Sequence, residues 1–190
     1  SVVVIARNEA SRLADCLESA RWAGEIVVVD DNSTDETLSV ARRYTDRVIQ
    51  RTMEIEGIHR NFAQTQARYE WILSLDADER VTPELAQEIQ ALLSGSPDCD
   101  IYSIPRRNHV GKRWIRHGGW YPSPQVKLFR RSIFRWEETT VHPRALTTST
   151  KPWGALKSDL IHLSYRDFSD FVGKLNRQTT QEAAKWIRDG

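Results

Sequence analysis

Three apolar, β-branched runs each stop abruptly at a polar cluster, and this constrains the chain more than any other feature. Residues 1–6 (SVVVIA) end at Arg7-Asn8-Glu9, residues 25–30 (EIVVVD) at Asp30-Asp31-Asn32, and residues 71–75 (WILSL) at Asp76-Ala77-Asp78-Glu79. Uninterrupted apolar runs of this length mark strands buried on both faces. Helical patterns lie between them. Leu13, Ala14, Leu17 and Ala20 recur at helical spacing; Ser33 and Glu36 form a Ser-x-x-Glu capping box opening a helix through Leu38 and Ala41; residues 60–68 read as helix; and Thr82-Pro83-Glu84 caps another, with Leu85, Ile89 and Leu92 on one face. Residues 47–51 add a short strand. Strands alternating with helices predict an α/β fold, a doubly wound and mostly parallel sheet. Such sheets bind ligands at the carboxyl ends of their strands, so the three polar clusters should converge on one crevice.

Charge is distributed unevenly. Residues 1–100 carry ten Lys/Arg against nineteen Asp/Glu, while residues 101–150 carry ten against two. An acidic half followed by a basic segment fits a cation-holding site beside a surface that attracts anions, or simply two balanced faces. With 190 residues, 39% of them apolar, the chain can bury one substantial core. Cys16 and Cys99 lie far apart in no metal-like spacing, and Cys16 falls in a helical pattern. Two reduced thiols are expected, in keeping with a cytoplasmic protein. No run is long and apolar enough to span a bilayer, and no signal peptide is visible. The chain opens on a strand without methionine and stops just after a helical pattern, so trimmed ends are expected.

From residue 100 onward the character changes. Trp114, Trp120, Trp136 and Trp153 crowd a stretch rich in arginine that also holds His109, His117, Gly118 and Gly119. Short strands are expected at 100–104, 126–129 and 160–163. Residues 167–187 read as an amphipathic helix, with Phe168, Phe171, Val172, Leu175, Ala183 and Ile187 near one face. That face either packs on the sheet or meets a membrane surface, with Lys174, Arg177, Lys185 and Arg188 near its borders. Aromatic faces beside arginines suit a phosphorylated sugar. They also suit single-stranded nucleic acid, the disfavoured reading here; the bland alternative, core of a small domain, is expected for two of the four tryptophans.

Asp76 and Asp78 sit one residue apart at the end of an apolar strand, so both carboxylates should face the crevice while Ala77 points away. Carboxylate oxygens suit Mg²⁺ or Mn²⁺, which keep places for phosphate oxygens. Glu79 reads as N-terminal charge on the following helix. A second triplet, Asp98-Cys99-Asp100, lies in a Ser-Gly-Ser-Pro loop and lacks that context. Asp30 and Asp31 end a buried strand as adjacent acids. Because Ser33 is assigned to the cap, these acids are expected to meet a ligand hydroxyl or N–H.

The ordered series strand-Arg-Asn-Glu, Val-Asp-Asp-Asn-Ser-Thr-Asp-Glu-Thr and Leu-Ser-Leu-Asp-Ala-Asp-Glu resembles the family 2 glycosyltransferases of the GT-A fold, in particular the lipopolysaccharide-core β-glucosyltransferase branch. The likeness continues through Arg60-Asn61-Phe62-Ala63, Gly119-Trp120-Tyr121-Pro122, Lys127-Leu128-Phe129-Arg130-Arg131, Val141-His142 and His162-Leu163-Ser164-Tyr165-Arg166 to Lys174-Leu175-Asn176-Arg177. It implies a nucleotide-sugar-binding half at 1–100, an acceptor half of the same domain at 101–165 and a C-terminal helix at 166–190. Arg7, Asn8, Glu9, Asp30 and Asp31 would line the nucleoside pocket, Arg60 and Asp76 would lie at the nucleotide, and Asp76, Asp78 and His162 would hold Mg²⁺ or Mn²⁺. The implied reaction is inverting transfer from a nucleotide-diphosphate sugar, such as a UDP-sugar, to a saccharide or lipid-linked saccharide acceptor such as lipopolysaccharide core. The implied place is the cytoplasm, peripherally at the inner membrane face.

Two acids of that branch are missing. Val141-His142 is followed by Pro143 where the branch usually has Glu, and Pro122 by Ser123 where it commonly has Asp. Glu137, Glu138 and His142 are then the candidates for general base. Two other readings compete: a catalytically silent nucleotide- or sugar-binding module, which the missing acids favour, and a nucleotidyltransferase. The latter normally needs a glycine-rich phosphate loop after the first strand, whereas residues 1–50 contain only Gly24.

Overall fold

The computed structural model describes residues 1–140 and 142–189, apart from the side chains of 181, 182, 184, 185, 188 and 189. The elements follow in order: β1 (Val2–Ala6), α1 (Ala10–Ser19), β2 (Ile26–Asp30), α2 (Thr37–Arg42), β3 (Val48–Gln50), α3 (Glu56–Thr65), β4 (Trp71–Asp76), β5 (Glu79–Val81) and α4 (Pro83–Ser94). The later portion holds β6 (Ile101–Ile104), β7 (Arg106–Val110), β8 (Arg113–Trp114), β9 (Gln125–Arg130), β10 (Phe134–Trp136), β11 (Ala145–Thr147), β12 (Gly154–Ala155), β13 (Leu160–Tyr165) and α5 (Phe168–Asp189).

A seven-stranded sheet in the order β12-β6-β9-β4-β1-β2-β3 forms the centre. Strands β4, β1, β2 and β3 run parallel, and β9 is inserted antiparallel between β4 and β6. Alternate residues of the continuous apolar strands serve opposite faces. Val2, Val4, Val28, Leu73 and Leu75 pack with Leu13, Cys16 and Leu17 of α1 and Leu85 and Ile89 of α4. Val3, Val27, Val29 and Ile72 pack on the other side with Ala63 of α3, Phe129 and Phe134. Cys16 and Cys99 are both free thiols, and burial pushes the Cys16 thiol up to about 12, which makes it inert. Register matters most: Ala6 lies opposite Asp30, and Ile5 opposite Asp76, so the three polar clusters end level with one another.

A smaller sheet, β5-β13-β7-β8, stands beside these strand ends, and β10 pairs with β11. Several expectations shift here. Helix α2 starts at Thr37, and its first amide is held by Asp35 (Thr37 N to Oδ1, 2.9 Å), so Ser33 is not its cap. Helix α3 begins four residues earlier than its apolar pattern suggested, at Glu56. Glu79 is a fully buried residue of β5 and carries no helix-terminal role. Thr82 does cap α4, accepting from the Leu85 amide at 3.2 Å. Of the four tryptophans, Trp136 packs against the second core beside Phe129 and Phe134, Trp114 and Trp120 are partly buried, and Trp153 is half exposed.

Helix α5 touches the body mainly through its first turns. Phe171 meets Trp120 and Tyr165 edge-on or tilted, and Lys174 Nζ donates to the Ser164 carbonyl at 2.8 Å. Phe168, Val172, Leu175, Trp186 and Ile187 are exposed, so much of the apolar side is not packed on the sheet. The expected basic borders at Lys185 and Arg188 lie outside the described residues. Among the described residues no helix is long and apolar enough to cross a membrane.

Candidate active site

The turn after β1 and the turn after β2 brace each other. Asn8 and Asn32 adopt positive φ (53° and 47°), which asparagine tolerates. Asn8 Oδ1 accepts from the Thr34 amide (2.8 Å), and the Asn8 and Glu9 amides donate to Ser33 Oγ (2.9 Å) and Thr37 Oγ1 (2.8 Å). Asp30 is fully buried and accepts from both the amide and the hydroxyl of Ser33. This corrects two expectations: Asn8 and Asp30 do not line a pocket but hold the loops that shape one. Asp31 does line it, accepting from the Met53 amide (2.8 Å) and Arg7 Nη1 (3.0 Å). Arg7, Glu9, Asp31, Arg60, Asp76 and Asp78 surround a cavity of about 250 Å³. Burial raises the Glu9 carboxyl above its ordinary range, against the pull of Arg12.

At the end of β4 the acids are held by cations. Asp76 Oδ1 accepts from Arg60 Nη2 (3.0 Å) and Oδ2 from Lys127 Nζ (2.8 Å). Lys127 also donates to Glu79 Oε2 (2.6 Å), which accepts from the Asp76 amide (2.9 Å), and Arg106 lies 3.6 Å from Glu79 Oε1. Burial opposes ionisation of Asp76, but Lys127 and then Arg60 outweigh it and hold the carboxyl well below the carboxylate range. Burial likewise opposes the Lys127 charge, and Asp76 and Glu79 outweigh it upward. Both oxygens are thus paired with cations, while the side chain stays 32% exposed to the cavities.

Asp78 faces elsewhere. Its Oδ2 lies 3.5 Å from Arg12 Nη1 and 3.6 Å from His162 Nε2. The Asn108 amide nitrogen donates to the Trp120 carbonyl (2.8 Å), so its Oδ1 accepts from His162 Nδ1 at 2.7 Å. A proton on Nδ1 satisfies that bond, and Nε2 is the ring nitrogen that faces Asp78. An oxygen and a nitrogen donor facing each other, with the imidazole oriented by a second hydrogen bond, fit a divalent cation that takes its remaining ligands from water and phosphate. Among the described residues no group of three or more His, Cys, Asp or Glu could hold an ion by itself. Asp100, of the other triplet, is occupied by Arg130, Ser149 and Lys151 at the opposite end of the sheet.

Beyond Asp76 a larger cleft of about 780 Å³ opens, and Glu56, Arg60 and Asp76 line both cavities. Its walls are Lys127 and Gln125 of β9, Arg106 and Asn108 of β7, His162, Ser164 and Tyr165 of β13, the Gly118–Gly119–Trp120 turn, Trp136, His142, Pro143 and Gln178. Gly118 and Gly119 take φ of 69° and 79°, where a side chain would be strained. Of the three candidate bases, His142 lines this cleft. Glu137 and Glu138 do not: the Glu137 carboxylate turns back to the Arg144 amide (3.4 Å), and Glu138 is exposed. Val141 lies outside the described residues. Sequence reasoning missed Arg12, Glu56, Arg106, Asn108 and Lys127 as site residues. Lys127 had a usable signal, a lone lysine inside an otherwise apolar strand, which must find an acid when buried.

A cavity at the carboxyl ends of β1, β2 and β4, beside a polar cleft walled by a second sheet, is the GT-A arrangement. Residues 1–149 match the family described as glycosyl transferase family 2, and the chain belongs to that family. It is 24% identical over 195 residues to the lipopolysaccharide core biosynthesis glycosyltransferase LpsC of Rhizobium meliloti (strain 1021), across 100% of this chain and 72% of that protein. An uncharacterized glycosyltransferase of Rickettsia bellii (strain RML369-C) is 34% identical over 103 residues, 54% of this chain and 35% of its own length. The fold is similar to that of Staphylococcus aureus TarS in complex with UDP, with a TM-score of 0.56 and 19% identity over 82% of this chain and 60% of that one.

Proposed function

We propose that the chain is an inverting glycosyltransferase that moves a sugar from a UDP-sugar to a saccharide or lipid-linked saccharide acceptor of the lipopolysaccharide-core kind. The observation that carries this reading is the junction at Asp76 and Asp78, where a small cavity lined by Asp31 and Arg7 meets a large cleft rich in cations and aromatic rings. Residues 1–100 then bind the donor, residues 101–165 the acceptor. The relative LpsC supports the acceptor class by its name, and TarS, solved with UDP and with UDP-GlcNAc, supports the donor class.

Asp31 and Arg7 bind the nucleoside, while Arg60, Arg12 and Lys127 approach the diphosphate. Asp78 and His162 would hold Mg²⁺ or Mn²⁺, which supplies neutralisation of the charge that builds on the leaving diphosphate. Arg60 and Lys127 share Asp76, so each retains donors for a phosphate oxygen. Trp120 and Trp136 offer faces to a sugar ring, and Arg106 can meet an acceptor phosphate. A silent binding module is the competing reading, favoured by Pro143 and Ser123 standing where acids were expected. Incubation with UDP-glucose, UDP-galactose or UDP-GlcNAc and detection of released UDP separates the two: UDP binding without release from any donor leaves only the module.

The exposed apolar side of α5 extends the proposal to peripheral contact with the cytoplasmic face of a membrane. Flotation with anionic and neutral vesicles tests it. Salt-sensitive binding to anionic vesicles is expected; binding to neither removes the membrane role.

A further inference from the structure

The transfer proposed above requires a group that removes the acceptor proton, and we propose that Glu56, at the start of α3, is that base. The inference rests on the inverting-transferase reading. Among the described residues lining the large cleft, only Glu56 and Asp76 are carboxylates. Asp76 has both oxygens committed to Arg60 and Lys127. Glu56 uses one oxygen, Oε1, to accept from Arg60 Nε at 2.8 Å, and its Oε2 accepts from no described residue. The side chain is 27% exposed, open to the cleft rather than to bulk solvent alone. It lines both cavities, and so stands where a donor sugar, extending from the diphosphate, would meet an incoming hydroxyl.

Local structure explains how a helix start reaches this place. Helix α3 abuts the backbone of residues 137–139. The Gly57 amide donates to the Thr139 carbonyl at 3.1 Å, and a Cβ on Gly57 would lie 1.8 Å from the Glu137 carbonyl oxygen. Only glycine permits that approach. The same segment continues to His142 and Pro143, which line the cleft and bring no acid to it. Glu56 therefore supplies from α3 the carboxylate that this wall lacks.

In the step so defined, a Glu56 oxygen takes the proton of the acceptor hydroxyl as that oxygen bonds to the anomeric carbon. The bond from the anomeric carbon to the diphosphate breaks, its electron pair leaving with UDP. The products are the inverted glycoside, UDP and protonated Glu56, which returns its proton to water.

The full chain is assayed with each of UDP-glucose, UDP-galactose and UDP-GlcNAc, water serving as the acceptor, with sodium azide as an alternative nucleophile that needs no deprotonation. Glu56→Gln and Glu56→Ala should each lower UDP release to water by about 10²–10⁴-fold, with the UDP dissociation constant unchanged within about twofold. Azide should restore UDP release and yield the inverted glycosyl azide. Glu138→Gln, exposed and outside the cleft, should match the parent. Full activity in Glu56→Gln overturns the proposal. So does a loss that azide fails to restore, because Glu56 then serves only to position Arg60. Azide-rescued loss in His142→Asn but not in Glu56→Gln moves the base to His142. If Glu56→Ala does not fold, the isosteric Gln variant carries the test alone. A parent that binds UDP yet releases none from any of the three donors overturns the transferase reading and this assignment together; a parent that turns over while Glu56→Gln matches it overturns this assignment only.

Discussion

At the end of β2, Asp30 and Asp31 are held by amides, a hydroxyl and one arginine, most of them from neighbouring loops. At the end of β4, Asp76 and Asp78 meet cationic or imidazole groups from four elements: Arg60 of α3, Lys127 of β9, Arg12 of α1 and His162 of β13. The first pair is satisfied by fixed dipoles, so its loops are rigid before any ligand arrives. The second is balanced by side-chain cations, which have further donors that a phosphate oxygen can take. Two acid pairs at equivalent strand ends thus divide the work: one shapes the pocket, the other manages charge.

The largest expected effect tests the charge-managing end. Lys127→Met leaves Asp76 and fully buried Glu79 without their shared partner, and stranding buried charge in this way costs about 3–5 kcal/mol. Urea unfolding measures it. A loss under about 1 kcal/mol would mean that Arg60 and Arg106 suffice, and the contrast between the two ends would weaken. Asp76 itself keeps 32% of its side chain exposed to the cleft, so most of this loss should trace to Glu79.

Next comes Asp78→Asn. Ligand at a hundred times its dissociation constant adds about 2.7 kcal/mol of stability. The parent should show this for UDP with Mg²⁺ or Mn²⁺ and not in EDTA, and the variant should lose it while its ligand-free stability stays constant. Thermal melts with UDP, metal and EDTA decide; equal stabilisation in EDTA would end the metal assignment.

Asp30→Asn should do the reverse. Removing a charged acceptor from the Ser33 amide and hydroxyl costs about 1.5–3 kcal/mol of ligand-free stability, with the metal dependence of UDP binding intact. If the variant instead kept its stability and lost nucleotide, Asp30 would be a ligand residue after all.

The smallest effect is in acid. A carboxyl whose folded pKa is lowered contributes stability above its unfolded value, near pH 4, and loses it as pH falls through the folded value. Asp76 is such a group, so its contribution persists below pH 4 in the parent. Without Lys127 its pKa rises, and the acid-unfolding midpoint of Lys127→Met should move to higher pH than that of the parent. An unchanged midpoint would show that Arg60 alone governs Asp76.

The parallel strands and the convergence of their ends were legible because continuous β-branched runs leave little choice of structure. Asp31, Arg60 and Asp78 border the small cavity and His162 the large cleft, and each stood out in the sequence because it sits at or near a strand end or in a family motif. Asp30 was misjudged because Ser33 was credited to the helix, and capping geometry depends on which turn the loop makes. Lys127 was missed because its contacts reach back 51 and 48 residues, to Asp76 and Glu79, which no local period encodes. Strands β5, β7, β8, β10, β11 and β12 were missed for their shortness or mixed polarity.

The antiparallel insertion of β9 also has a consequence for synthesis. When residues 1–100 have left the ribosome and residues 101–190 have not, that segment carries nine more acids than bases, and β4 has β1 on one side and no partner on the other. One segment, Gln125–Arg130, closes that edge and brings Lys127 to acids 48 and 51 positions earlier. The nascent segment 1–100 is therefore an unfinished sheet in which Glu79 lacks its cations, exposed to edge pairing until β9 appears. A chain stopped before residue 125 should accumulate as an aggregation-prone species rather than as a smaller nucleotide-binding domain.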